Sequence, residues 1–152
     1  RVASRGLGDV YKRQVDLSND SQKVIDTAVR MANGDVGKLH LVHIVEPVAA
    51  AYSMDIYAVN VSELQQEAIT FAEQRLESIG KELGIGSDHL HTLLGAPAPE
   101  VRNLANELKS DVIVIGSHGH SGWKILLGGT AIKVLHGSTC DVLTVLVGDD
   151  GD

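Results

Sequence analysis

Glycines and histidines are the residues of this chain whose types and spacing could serve chemistry. The densest run is Gly116-Ser-His-Gly-His-Ser-Gly122, followed by Gly128-Gly129-Thr130. Glycines let a backbone approach a ligand closely and turn several N–H groups into one concavity. A helix opening at Thr130 would add unpaired N–H groups and a partial positive charge. That arrangement suits a polyphosphate; the plain alternative is a tight turn with a helix cap and no ligand. The stretch is not a P-loop, because no Gly-x4-Gly-Lys-Ser/Thr is present, and no Gly-x-Gly-x-x-Gly follows a strand. Gly119-His-Ser-Gly122 is one residue short of the Gly-x-Ser-x-Gly nucleophile elbow, so a hydrolase triad is unsupported.

Seven histidines raise the question of a metal. His40 and His43 differ in parity along a strand and face opposite ways. His89 and His91 share a face, but a metal site needs three or four convergent ligands. The expectation is therefore no metal. Lys124 could reach a terminal phosphate or stay solvated. Cys140, the single cysteine, reads as a small buried hydrophobe at a strand start and excludes an internal disulfide. Trp123 and Leu126-Leu127 could form a lid over the loop, contact a partner, or simply pack.

These residues need elements to place them. Ser18 and Asp20 are plausible caps for a helix running to about Asn33, with Val24, Ile25, Ala28 and Ala32 on one face. Leu39 to Val45 reads as a buried strand, and Pro47 to Asn60 as a long irregular connection containing Tyr52, Met54 and Tyr57. Leu64, Ala68, Ala72, Leu76, Ile79 and Leu83 make one apolar stripe on a helix from Ser62 to Leu83. His89 to Leu94 alternates as a strand near a sheet edge would. A short helix follows Pro97 and Pro99, then a strand at 111–115, the glycine loop from Gly116 to Gly129, a helix from Thr130 to His136 and a strand at 142–147. Strands alternating with helices imply right-handed βαβ units and a parallel sheet covered on both faces. The reading is a doubly wound α/β domain. Four strands are legible after residue 15; the fifth belongs before Val15.

The residues before Val15 do not read like the rest. Four of the 13 basic residues and one of the 20 acidic ones lie in 1–14, so the remainder carries −10 against −7 for the whole. Asp9-Val-Tyr-Lys-Arg-Gln14 resembles a translated transposon-end adaptor; a natural disordered tail is the alternative. The expected organisation is a non-native or disordered segment at 1–14, a domain at 15–147 and an acidic tail at 148–152. The first strand is expected to be missing or replaced. The net charge argues against a nucleic-acid surface. No apolar run reaches the roughly 18 residues of a membrane span, and no secretory signal opens the chain, so a cytoplasmic protein is expected.

Gly116-x2-Gly119-x9-Gly129-Thr130 resembles the Gly-2x-Gly-9x-Gly-Ser/Thr signature of ATP-binding universal stress proteins. Asp111-Val-Ile-Val-Ile-Gly-Ser-His-Gly-His-Ser-Gly122, Leu126-Leu-Gly-Gly-Thr130 and Cys140-Asp-Val-Leu-Thr-Val145 are similar to that family too, as are Val15-Asp-Leu-Ser18 and Leu41-Val-His-Ile-Val45. The resemblance implies a five-stranded, adenine nucleotide alpha hydrolase-like fold. It implies ATP, with or without Mg2+, as ligand. Asp16 would stand near ribose and phosphates, the Ile44 backbone would read adenine, and Gly95 would lie beside the nucleotide. Gly116, His118, Gly119, Gly129 and Thr130 would form the phosphate and ribose cradle. It further implies a homodimer through the strand at 142–147, an unidentified protein partner, and a regulator of the stress response with at most slow ATP hydrolysis. Two departures from the family pattern stand out: Gly128 before Gly129, and the altered segment ahead of Asp16. An interaction module of the same fold without nucleotide is the alternative. An AMP-forming ligase is disfavoured, because no second substrate domain accompanies the fold.

Overall fold

The computed structural model describes residues 2–5, 17–47, 61–118 and 129–147. In chain order they form β1 (Val2–Arg5), α1 (Leu17–Met31), β2 (Leu39–Val45), α2 (Val61–Leu83), β3 (Leu90–Leu94), α3 (Pro97–Glu107), β4 (Val112–His118), α4 (Gly129–Leu135) and β5 (Asp141–Val147). All pairings are parallel, in the order β3-β2-β1-β4-β5. Neighbouring order reverses between β1 and β4, which defines the switch point of the sheet.

Two apolar layers hold helices to the two faces. One joins Val24, Ile25, Ala28 and Ala32 of and beside α1 and Leu76 of α2 to Leu39, Leu41, Val112, Val114 and Val147. The other joins Ala98, Val101, Leu104 and Ala105 of α3 and Ala131 and Val134 of α4 to Val42, Ile44, Ile113 and Ile115. Side chains of a strand alternate between faces, so β2 and β4 each feed both layers. Every residue of β2 is buried, as a strand flanked by strands and covered by helices must be. The edge strand β3 is half-buried over most of its length, as its alternating sequence predicts.

Most element bounds lie within two residues of the sequence expectation. Two findings differ. Residues 116–118, expected to open the glycine loop, instead continue β4, paired as Gly116↔Val145, Ser117↔Leu146 and His118↔Val147. The ladder from β5 satisfies an extended backbone there, which outweighs the weak strand preference of glycine. The second concerns the segment set aside on composition. Val2–Arg5 forms the central strand, with Val2↔Leu39 on one side and Val2↔Val112 on the other. A slot between two parallel strands offers rows of N–H and C=O groups on both sides, and a short extended segment satisfies both whatever its periodicity. Among the described residues, no helix is long and apolar enough to cross a membrane.

Candidate functional site

The carboxyl ends of parallel strands are where open α/β sheets bind ligands, at the switch point. Here that end has a defined shape. The last β1 residue, Arg5, pairs with Val42 and Ile115. β2 runs on through 43–45 and β4 through 116–118, so both outreach the described part of β1. Ile44 of β2 and Gly116 of β4 lie at this end of the sheet.

Several predicted residues converge on this end. Ile44 is 4 % exposed, its side chain packed in the α3/α4 layer, so only its backbone can face a ligand. Gly95 follows β3, and its N–H donates to the Val45 carbonyl at 3.0 Å, tying the exit of β3 to the end of β2. Its φ of +152° is a conformation that side-chain-bearing residues rarely adopt, and a Cβ there would lie 2.9 Å from Glu100 Cγ. Glu100, in the first turn of α3, thus places a half-buried carboxylate beside Gly95. Sequence reasoning passed over Glu100; its position three residues after Pro97, at a helix start facing the strand ends, is the signal that could have found it.

Gly116 and Gly129 differ in what their missing side chains permit. A Cβ on Gly116 would sit 3.1 Å from Val24 Cγ2 and 3.4 Å from Val147 Cγ2, so glycine there lets α1 close on the sheet. Its place in the predicted cradle has a packing reason of its own. Gly129, the first residue of α4, is exposed, and none of the described residues lies within 4 Å of an added Cβ. No close neighbour among the described residues requires glycine at that position. Thr130 beside it is half-buried, and Ala131 and Val134 anchor α4 to the sheet. His118 is the last residue of β4. Asp16 and Gly119 lie outside the described residues, as do Lys124, Trp123, Leu126-Leu127, the Tyr52–Tyr57 stretch and the 148–152 tail.

Away from this end, Cys140 packs half-buried against the α3/α4 layer. Burial, then Asp141 and Asp111, push its thiol above the ordinary range, the behaviour of an inert packed cysteine. Among the described residues, no group of His, Cys, Asp and Glu is arranged to hold a metal ion.

The profile of the universal stress protein family matches residues 14–145. The chain is 39 % identical over 132 residues to universal stress protein A homolog 1 of Coxiella burnetii, covering 86 % of this chain and 91 % of that protein. It is 34 % identical over 139 residues to universal stress protein G of Shigella flexneri, covering 90 % and 93 %. Among solved structures, the fold is similar to UspA from Lactobacillus plantarum, with a TM-score of 0.66 at 19 % identity over 95 % of this chain and 97 % of that one. It is also similar to the universal stress protein from Archaeoglobus fulgidus in complex with dAMP, with a TM-score of 0.54 at 18 % identity over 94 % of each chain. The fold is a parallel α/β sheet covered by helices, and this chain belongs to the universal stress protein family.

Proposed function

We propose that the chain binds ATP, with or without Mg2+, at the carboxyl end of its five-stranded doubly wound sheet and acts as a nucleotide-dependent regulator in the cytoplasmic stress response. The observation that carries this is Gly129. The spaced motif has glycine there, none of the described residues requires it, and a helix start after a glycine-rich stretch of sequence is where a phosphate would need bare backbone. In this reading the Ile44 backbone, near the end of β2, meets the adenine. The Glu100 carboxylate beside Gly95 is placed to accept from a ribose hydroxyl. Asp16, Gly119 and His118 complete the proposed cradle. The dAMP held by the Archaeoglobus relative supports an adenine nucleotide as the ligand class. The proposed role is occupancy-dependent signalling rather than turnover.

Calorimetric titration of ATP into the chain and into Gly129→Val tests this. Binding to the parent chain, lost in the variant with an unchanged melting temperature, is the expected result. Equal binding by both, or by neither, overturns it.

The alternative is an interaction module of the same fold. It is favoured by exposed apolar side chains on one surface: Ile132 at 38 %, Leu135 at 53 % and Leu146 at 59 %. An apolar sheet edge calls for a cover, and a second copy pairing through β5 would supply one. Light scattering at micromolar concentration, compared with Leu146→Glu, separates a dimer that this strand holds from a monomer.

A further inference from the structure

The opposite end of the sheet carries a cluster that neither the family motif nor the proposed nucleotide site uses. His40, second in β2, is 5 % exposed. Its ring stacks on His89 with centroids 4.0 Å apart and planes 12° from parallel. Its Nδ1 lies 3.0 Å from His91 Nε2. His89 Nδ1 stands 2.8 Å from the Leu39 carbonyl, which can only accept, so that nitrogen carries the hydrogen. Three imidazoles from β2, β3 and the 3-10 turn Ser87–His89 therefore interlock where the edge strand begins.

We propose that this cluster is an acid-sensitive clasp that holds edge strand β3 on the sheet while its imidazoles are neutral and loosens it when they become charged.

The geometry allows only limited protonation. The His40–His91 bond uses one hydrogen between two facing nitrogens. A single added proton leaves it possible; protonating both facing nitrogens puts two hydrogens into the 3.0 Å gap. His40 stacked on His89 brings two positive rings face to face if both charge, and His40 would be charged out of contact with water. Burial first, and then His89, hold His91 below the ordinary histidine range, against smaller opposite effects of Asp88 and Glu107.

The surrounding charges do not relieve the core of the cluster. Asp88 reaches His89 Nε2 at 3.6 Å, at the outer side of the cluster. Glu107, at the end of α3, acts on His91 from the same face. Glu73 and Glu77 of α2 border, with His91, a cleft of about 380 Å3 along the β3 edge. Lys38, next to Leu39, is engaged by Asp35 at 3.6 Å. A group whose folded pKa is depressed, when it is a base, leaves the unfolded chain binding more protons. The clasp is fully closed above pH 6.5 and weakens as pH falls from there toward the folded pKa.

β3 ends at Leu94, and the Gly95 N–H beyond it donates to the Val45 carbonyl, so loosening would run along one ladder from the histidine end to the carboxyl end of β2.

Amide exchange of the whole chain at pH 8.0 and 5.5, compared as protection factors, tests the proposal. Protection of Leu90–Leu94 is expected to fall by about tenfold or more, with the β4–β5 ladder unchanged. In His91→Gln, which keeps a hydrogen-bonding group opposite His40 but cannot titrate, most of that fall should vanish. Equal loss in both ladders, or the full acid loss persisting in the variant, overturns the proposal. If the variant does not fold, imidazole NMR titration of the parent decides. His91 titrating below the ordinary value, with His40 responding to the same proton, supports the clasp; three independent titrations at the ordinary value overturn it.

Discussion

The two ends of the sheet solve opposite packing problems. At the amino ends of β2 and β3, the His40 ring has two imidazoles stacked against it, His89 at 4.0 Å and His91 at 5.3 Å, centroid to centroid. At the carboxyl ends, side chains are withheld: Gly95 leaves space for Glu100, Gly116 for Val24, and Gly129 for none of the described residues. The crowded end is explained entirely by contacts inside the chain. The bare end is only partly explained that way, and the unexplained part is Gly129. Where a glycine has a neighbour that would strike its Cβ, packing accounts for it. Where none of the described residues would strike it, the proposed nucleotide would supply a reason.

The largest expected effect tests the packing half of that contrast. Gly116→Val puts a branched side chain against Val24 and Val147 in a closed layer, and overpacking of this kind destabilises by about 1–3 kcal/mol. Urea unfolding should show the midpoint falling with the slope kept; an unchanged midpoint would mean α1 shifts freely and the packing account is wrong.

Next comes Gly95→Ala, expected to lose about 1–3 kcal/mol through its φ and its approach to Glu100. A cycle with Glu100→Ala divides the two causes. The steric share should return in the double variant and the backbone share should not. Complete recovery would remove backbone strain from the account.

At the crowded end the effect appears only with acid. Lowering the pH from 7.5 to 5.5 should reduce thermal stability more in the parent chain than in His91→Gln, because the folded imidazole resists a proton that the unfolded one accepts. Parallel curves would leave the cluster with a purely structural role.

The smallest effect sharpens the comparison most. Gly129→Ala should alter stability by no more than about 0.5 kcal/mol, since its new Cβ meets open space. A large loss would show that this glycine, too, is there for the fold.

Much of this protein was legible along the chain. Apolar runs of period two and 3.6 located the elements of 15–147, because burial on one stripe or on both faces follows directly from local spacing. The glycine motif was legible for the same reason: a backbone-lined loop is built from consecutive residues. What spacing could not reveal was decided by strand pairing. His40 lies 51 positions from His91 in sequence, and only the β2–β3 register, with Val42 opposite His91, brings their rings together. Gly116–His118 read as loop until β5 supplied a ladder, and Val2–Arg5 showed no strand periodicity until two neighbours offered it a slot. Gly116 and Gly129 are the same residue type in one motif, and composition cannot tell them apart. The tertiary structure does, because a missing side chain has meaning only relative to the atoms that would have met it.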